Sequence, residues 1–201
     1  GPILVIASGG FIGANLFHSL LSVRSDVYAG VHGLYNWRLK DVNPTHILRT
    51  NLSDEMMIKQ ALERSGARTI FYTAAYGAYS FEEDFQKIHN TNYQSLINFL
   101  ELMSEYEIDA FIHAGSSSEY GINATAPDEK ALPEPNSHYA VSKLGAAAAI
   151  SYFGKIRELP VINLRLYSAY GPFEDSSRLI PVLVREGRKG LFPPLTNPYI
   201  S

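Results

Sequence analysis

The fold is decided by the stretch Ile3-Leu4-Val5-Ile6-Ala7-Ser8-Gly9-Gly10-Phe11-Ile12-Gly13. Its first four residues form a continuous apolar run, which is typical of a strand buried on both faces of a parallel sheet. The residues after it, 14–21, have helical periodicity. A glycine-rich turn between a strand and a helix lets the backbone approach a pyrophosphate beside the positive end of the helix dipole. The stretch therefore predicts dinucleotide binding by Ala7, Gly10, Phe11, Ile12 and Gly13, with a purely structural turn as the alternative.

The rest of the chain repeats this alternation of apolar strand and amphipathic helix. Further strands are predicted at 27–31, 47–52, 69–75, 110–114 and 161–166, and helices at 54–64 with Ser53 as N-cap, 81–106, 137–157 and 177–189. Residues 122–136 are predicted to form a loop, and 191–201 have no clear structure. Strands that alternate with helices predict an α/β fold, a Rossmann-type doubly wound parallel sheet with right-handed crossovers.

Composition excludes several classes of protein. The 201 residues are 46% hydrophobic and 18% charged, so the chain can form a packed core. Its net charge is -3 and it has no Lys/Arg block, which argues against nucleic-acid binding. With no cysteine, disulfides and thiolate metal sites are excluded, and the absence suits a reducing cytoplasm, which is the expected location. No metal is predicted, no apolar run reaches the roughly 18 residues of a membrane span, and no signal peptide precedes the first strand.

A tyrosine and a lysine lie four residues apart in Ser137-His138-Tyr139-Ala140-Val141-Ser142-Lys143-Leu144-Gly145. On a helix this spacing puts Tyr139 and Lys143 on one face. A cation beside a phenol stabilises the phenolate, so the pKa of the tyrosine is expected to fall toward the range of a general acid/base. The alternative is an ordinary surface pair of neighbours.

Other residues are assigned to the dinucleotide site from their positions at strand ends. The second strand ends at His32, with Arg38 soon after, and this pair suits a ribose 2′-phosphate better than bare hydroxyls. The sequence therefore favours NADP over NAD, with a solvated loop arginine as the alternative. The remaining cofactor residues are Asn51 and Leu52 at the end of the third strand, the small residues Ala74 and Ala75 at the end of the fourth, and Asn92. Plain strand packing is the alternative for the two alanines. Asn92 lies inside an apolar helical stripe and needs a buried partner.

Hydroxyl groups follow the fifth strand in Gly115-Ser116-Ser117-Ser118-Glu119-Tyr120-Gly121. Residues at the carboxyl ends of strands in an open α/β sheet face the ligand crevice. His113 lies within the apolar strand itself and is interpreted as a core histidine rather than a catalyst.

Four segments occur in order: A-S-G-G-F-I-G after the first strand, S-S-S-E-Y-G after the fifth, Y-A-V-S-K on a helix, and L-Y-S-A-Y-G-P. Together they resemble the extended short-chain dehydrogenase/reductase family, in its NAD(P)-dependent nucleotide-sugar epimerase/dehydratase branch. The resemblance implies that Ser116, Tyr139 and Lys143 are catalytic. Tyr139 would move the proton on the sugar oxygen that Ser116 binds, and Lys143 would bind the nicotinamide ribose. Ala7 departs from the family pattern, which has glycine there.

The resemblance also narrows the activity. Sugar 4,6-dehydratases of this family carry an acid/base pair at the positions of Ser117 and Ser118, and Glu119 is one step out of place. A 4-epimerase is therefore expected, with an NADPH-dependent 4-keto-sugar reductase as the first alternative and a non-catalytic NAD(P)-binding regulator as the second. The substrate residues implied are Ser117, Ser118, Ser168 and Arg178.

Two domains are expected from the same resemblance. Residues 1–166 would form the NAD(P)-binding domain with the catalytic residues, and 167–201 the beginning of a truncated substrate-binding domain. The implied partners are a nucleotide-sugar substrate and a second copy of the chain, since this family often forms homodimers through helices equivalent to 81–106 and 137–157.

Overall fold

A computed structural model describes residues 1–33, 36–79 and 81–193 of the chain. Its centre is a sheet of six strands, β1 Ile3–Ile6, β2 Val27–Val31, β3 Ile47–Arg49, β4 Thr69–Tyr72, β5 Ala110–Ser116 and β6 Val161–Leu166. All pairs are parallel, and the strand order is β3-β2-β1-β4-β5-β6. The order reverses between β1 and β4, so the crevice at the carboxyl ends lies at that point. The predicted doubly wound sheet is confirmed.

The helices are α1 Phe11–Leu21, α2 Glu55–Ser65, α3 Phe85–His89, α4 Ser95–Met103, α5 His138–Lys155 and α6 Leu179–Gly187. The N-cap of α2 is Asp54, whose carboxylate accepts a hydrogen bond from the Met57 N–H at 3.1 Å. The prediction of Ser53 as the cap is therefore wrong by one residue, because it is the Asp54 side chain that reaches the amide of the first turn.

The helix predicted over 81–106 is shorter and is not continuous. It begins at Phe85 after the Asp84 cap, and a π-helical turn, Asn90–Gln94, separates α3 from α4. Such a turn inserts one extra residue into an α-helix and frequently marks a functional site. The apolar periodicity of the sequence did not reveal it, because the residues that hold the turn lie far away in the chain.

Two apolar clusters cover the two faces of the sheet. The larger joins the strands to α2, α4 and α5 around Tyr72, Phe99 and Phe111, and the smaller packs α1 through Phe17 against β1 and β2. The Tyr72 ring lies 5.3 Å from that of Phe99, edge to face. Its hydroxyl is buried and has no hydrogen-bond partner among the described residues.

The chain divides into two compact units, Gly1–Tyr167 and Ser168–Ser201. The first holds the whole sheet with α1 to α5, and the second holds α6. The predicted irregular end, 191–201, lies mostly outside the described residues, which stop at 193. No helix within the described ranges has both the length and the apolar character needed to cross a bilayer.

Candidate active site

The glycine turn after β1 is tight because helix α1 packs directly on it. A Cβ atom at Gly13 would lie 2.5 Å from the Ala7 carbonyl oxygen and 2.9 Å from Ser8 Cα. The Gly10 N–H donates to that same carbonyl at 2.9 Å and closes the turn. Ala7 itself has φ 61°, in the left-handed region that glycine favours. The family's glycine at this position thus has a conformational reason, and Ala7 adopts the same conformation under strain.

The start of α1 fits a pyrophosphate. Its N-cap is Gly10, which has no side chain to cap the first turn, and the turn contains no acidic residue. The first N–H groups of a helix have no partner within the helix and carry the positive end of its dipole. The N–H groups of Phe11, Ile12 and Gly13 therefore offer donors to an anion at the carboxyl edge of the sheet, and their contact with a dinucleotide stays a prediction.

Arg38 lies beside this turn. Its guanidinium donates to the Gly9 carbonyl oxygen at 3.1 Å and lies 4.4 Å above the Trp37 ring. The Asn36 amide donates to the same oxygen at 3.0 Å. His32, just beyond β2, is exposed. The structure thus places a cation where β2 ends, while the cofactor contacts of His32 and Arg38 stay predictions.

The other predicted cofactor residues lie just beyond the ends of β3 and β4. The Asn51 amide oxygen accepts the Ser53 N–H at 3.1 Å. Leu52 lines a groove of about 430 Å³ that runs between α2 and α4. Ala74 is buried and Ala75 is exposed just beyond β4.

Asn92, in the π-helical turn, joins three parts of the site. Its amide oxygen accepts from the Tyr76 N–H at 2.8 Å, and its amide nitrogen donates to the Tyr76 carbonyl oxygen at 2.8 Å and to Ser142 Oγ at 2.9 Å. Ser142 in turn donates to the Tyr139 carbonyl oxygen at 2.8 Å. The buried partner that the sequence requires is confirmed, and the residue connects the segment after β4 to the start of α5. Its contact with a cofactor stays a prediction.

Gly77 is a residue of this region that the sequence analysis missed. It has φ 95°, and a Cβ there would lie 3.4 Å from Cδ2 of the Tyr139 ring and 2.7 Å from Ile88. Glu82 fixes the loop by accepting the Gly77 N–H at 2.8 Å and the Tyr79 N–H at 3.2 Å. The available signal was a glycine at the carboxyl end of β4, where a strand end faces the crevice.

Tyr139 and Ser116 meet at the carboxyl end of β5. The Ser116 hydroxyl lies close enough to the Tyr139 phenol to affect its pKa, although 23 positions of sequence separate the two residues. Burial raises the pKa of Tyr139, the Ser116 hydroxyl lowers it, and the charges of Glu119 and Glu82 raise it again, with a net upward shift. The sequence argument predicted a lowered pKa for this phenol, so the predicted direction is wrong in this structure.

The reason lies in Lys143, which is directed at the sheet. Its side chain is 1% exposed, and Nζ donates to the Ala114 carbonyl oxygen at 2.7 Å and lies 3.5 Å from His113 Nε2. Burial lowers the pKa of Lys143 to about 8, against an opposing effect of Glu119. Ser116, not Lys143, is thus the group that favours the ionised phenol here.

The serines after β5 start a short 3-10 turn, Ser117–Tyr120, and Glu119 locks it. Ser116 Oγ accepts the Ser118 N–H at 3.1 Å, and Glu119 Oε1 accepts the Ser116 N–H at 2.9 Å, which makes a capping box. Ser117 and Ser118 are half-buried. The spacing of Ser116 and Glu119 was the sequence signal for this box.

The two remaining substrate candidates belong to the second unit. Ser168 is exposed, and Arg178 Nε lies 3.5 Å from a Glu174 carboxylate oxygen at the start of α6. Their contacts with a substrate stay predictions. In the part of the chain that the structure describes, no three His, Asp or Glu side chains converge as metal ligands would.

Comparison with known proteins agrees with this geometry. The sequence profile of the NAD dependent epimerase/dehydratase family matches residues 3–197. Among curated proteins, the uncharacterized UDP-glucose epimerase YtcB of Bacillus subtilis is 29% identical over 194 residues, which are 92% of this chain and 61% of the relative. The chain thus spans less than two thirds of that relative's length.

Solved structures share the fold. The UDP-glucuronic acid 4-epimerase of Bacillus cereus in complex with NAD superimposes with a TM-score of 0.79 at 24% identity, over 95% of this chain and 64% of that one. The dTDP-glucose 4,6-dehydratase DesIV of Streptomyces venezuelae gives a TM-score of 0.80 at 23% identity, over 94% and 63%. With a profile match over nearly its whole length, the chain belongs to the NAD dependent epimerase/dehydratase family of extended short-chain dehydrogenases/reductases.

Proposed function

We propose that the protein is an NAD(P)-dependent 4-epimerase of nucleotide sugars. The observation that carries the proposal is that the Tyr139 phenol and the Ser116 hydroxyl lie beside each other at the sheet edge that also carries the glycine turn. An acid/base residue and a hydroxyl binder there are arranged to act on an alcohol beside a nicotinamide. Relatives named as UDP-sugar epimerases support this reaction.

In the proposed reaction, each residue of the site has its own role. Ser116 holds the hydroxyl oxygen of the sugar carbon to be inverted, and Tyr139 takes its proton and later returns it. A bound nicotinamide supplies the hydride acceptor and donor for that carbon. Lys143, whose amine is held at the base of the site by Ala114 and His113, adds positive charge there.

The environment of Glu119 is an argument for epimerisation rather than dehydration as the reaction. A 4,6-dehydratase needs a carboxylate that removes a carbon-bound proton, and a neutral serine hydroxyl is too weak a base to replace it. Ser117 and Ser118 offer only hydroxyls. The nearby acid, Glu119, is fully buried, and its carboxylate accepts hydrogen bonds from Ser116, Asn163 and Arg165.

The alternative reaction, reduction of a 4-keto sugar with NADPH, is favoured by Arg38. Its position at the glycine turn suits a ribose 2′-phosphate, because a guanidinium matches phosphate bidentately. Titration of NADPH and NADH, followed by nicotinamide fluorescence, tests this point. We expect tighter NADPH binding in the wild type and loss of the preference in Arg38→Ala. Tenfold tighter NADH binding, about 1.4 kcal/mol, would contradict the NADP assignment.

The proposed function is tested on the full-length protein with a panel of UDP- and dTDP-sugars and their 4-keto derivatives. Tyr139→Phe is expected to lower turnover about 10²- to 10⁴-fold while the cofactor dissociation constant changes little. Tyr28→Phe is the matched control, since Tyr28 lies in β2, three strands away from β5 in the sheet. Full turnover in Tyr139→Phe would refute the proposal. Cofactor binding without turnover of any sugar would instead identify a non-catalytic regulator. If a sugar is turned over, Ser168→Ala and Arg178→Ala test the predicted substrate residues by their effect on KM.

We also propose a homodimer through α4 and α5. Exposed apolar side chains support it: Val141 and Tyr152 on α5, Ile156 at its C-cap, and Tyr93 in the neighbouring π-helical turn. Sedimentation of wild type and Tyr152→Glu tests it, and a monomeric wild type at micromolar concentration would contradict it.

A further inference from the structure

A chain of hydrogen bonds runs under the proposed active site from α5 to the edge of the sheet. Lys143 Nζ lies 3.5 Å from His113 Nε2, and His113 Nδ1 lies 2.6 Å from Asn163 Oδ1. The Asn163 amide donates to the Glu119 carboxylate at 3.0 and 3.2 Å. Arg165 Nε donates to Glu119 Oε2 at 2.7 Å and completes the series. We call these five residues the buried relay.

The donors and acceptors of the buried relay can be assigned in only one consistent way. The carboxylate of Glu119 only accepts, so the Asn163 amide nitrogen faces it and the amide oxygen faces His113. His113 Nδ1 must therefore carry the hydrogen that Asn163 accepts. That tautomer leaves a lone pair on Nε2, which points at the Lys143 amine. Burial and the Lys143 charge lower the pKa of His113 to about 3, which keeps the imidazole neutral at pH 7.

The backbone is shaped to make room for the relay. Strand register sets His113 opposite Asn163 and Gly115 opposite Arg165. A Cβ at Gly115 would lie 2.5 Å from Glu119 Oε1 and 2.6 Å from Asn163 Oδ1. The polar pair therefore fills the space in which any other residue at 115 would place its side chain.

We infer that His113 and Asn163 are positioning residues, which hold the Lys143 amine and connect it to the Glu119 carboxylate that fixes Ser116. The inference rests on the proposed function for the role of Lys143 and Ser116 in catalysis. His113 provides Lys143 with a neutral acceptor in a place where Glu119 lies beyond direct reach, and Asn163 keeps that acceptor in the correct tautomer. Two residues that flank Tyr139 are thereby fixed by one connected set of side chains.

The charges around Lys143 determine in which direction its pKa should change when His113 is removed. Glu119 favours the ammonium form, burial opposes it, and Arg165 neutralises Glu119 from the far side. Tyr139 lies on the same helix face and is charged only when ionised. The Lys143 amine has two acceptors, the Ala114 carbonyl oxygen at 2.7 Å and His113 Nε2 at 3.5 Å. Removal of His113 leaves only the carbonyl, and the loss of one hydrogen bond to the ammonium therefore lowers the pKa of Lys143.

The test is NMR titration of the full-length protein labelled with ¹³C at lysine Cε, with the Lys143 signal assigned by its loss in Lys143→Met. In His113→Phe the pKa of Lys143 is expected to fall by about one pH unit from its wild-type value. In His113→Gln, where an amide replaces the imidazole acceptor, it should return toward wild type. The basic limb of the kcat/KM profile should move by the same amount in each variant.

Phe111→Leu is the control for a purely structural effect. Phe111 is fully buried on the same face of β5, two residues before His113, and belongs to the apolar cluster. It should change the free energy of unfolding and leave the pKa of Lys143 unchanged. An unchanged pKa in both His113 variants would overturn the inference, whether or not the protein turns over sugars. If the pKa of Lys143 shifts in His113→Phe but the wild-type protein turns over no sugar, only the proposed function is overturned.

Discussion

Arg165 Nε lies 2.7 Å from Oε2 of Glu119, and the two form an ion pair beneath the proposed active site. The carboxylate is completely buried, whereas the arginine side chain is 28% exposed. Arg165 also donates to the Tyr120 hydroxyl and to the Glu129 carbonyl oxygen, each at 2.8 Å. The pair thus secures both the turn after β5 and the loop that leads to α5.

Arg165→Met should destabilise the protein strongly. Removing one partner of a buried ion pair leaves an uncompensated charge, which costs about 3–5 kcal/mol of the free energy of unfolding. Adding Glu119→Gln to that variant should restore part of the loss, because the unpaired charge disappears. Urea denaturation of the three proteins measures both effects. Equal stability of Arg165→Met and wild type would show that the pair contributes nothing.

Ala7→Gly should stabilise the fold by about 1 kcal/mol. An alanine at φ 61° is strained, and the relief exceeds the extra backbone entropy that glycine has in the unfolded chain. Glu158→Gly is the matched control, because Glu158 has φ 56° and lies after α5, away from the glycine turn. Both should raise the urea midpoint, and only Ala7→Gly should alter the affinity for the dinucleotide. A lower midpoint in Ala7→Gly would contradict the strain argument.

His113 should make the protein sensitive to acid. Its pKa is about 3 in the fold and 6.5 in the unfolded chain, so between these values only the unfolded state binds the proton. Stability from this residue is therefore complete above pH 6.5 and is lost as the pH falls toward 3. We expect wild type to be more stable than His113→Gln at pH 7, and that difference should narrow by about 3 kcal/mol at pH 4. A gap that does not depend on pH would contradict the lowered pKa.

Tyr72→Phe should be more stable than wild type by about 1 kcal/mol at pH 7, because the substitution removes a buried hydroxyl without a partner in the described structure. Burial also raises the pKa of this phenol. Above pH 10 the unfolded chain loses the Tyr72 proton and the folded chain keeps it, so wild type should lose more stability there than the variant. Thermal unfolding at pH 7 and 10.5 measures both effects. A destabilised variant would mean that the hydroxyl has a partner.

The sequence predicted those parts of the molecule that depend on local pattern. The order of strands and helices, the glycine turn, and the neighbouring positions of Tyr139 and Lys143 on α5 all follow from residue spacing. The direction of the Lys143 amine does not, because it depends on His113 in β5, which is 30 residues away.

The role of Glu119 also could not be predicted from residue spacing. Judged by its place in a motif, it was only an acid one step from the expected position. Its role is set by Arg165 and Asn163 on β6, which reach it only through the register of two adjacent strands. Sequence periodicity predicts that strands pair, but it does not give the phase of the pairing.

The extra residue in the turn Asn90–Gln94 sets the angular phase between α3 and α4. Each residue of an α-helix turns the chain by about 100°, so one additional residue rotates the face that α4 presents relative to that of α3. Ile88 in α3 can therefore lie against Gly77 while Leu96 and Phe99 in α4 face the sheet. A single-residue deletion in this turn would rotate α3 relative to α4 by about 100° and would turn one of those two surfaces away from its partner.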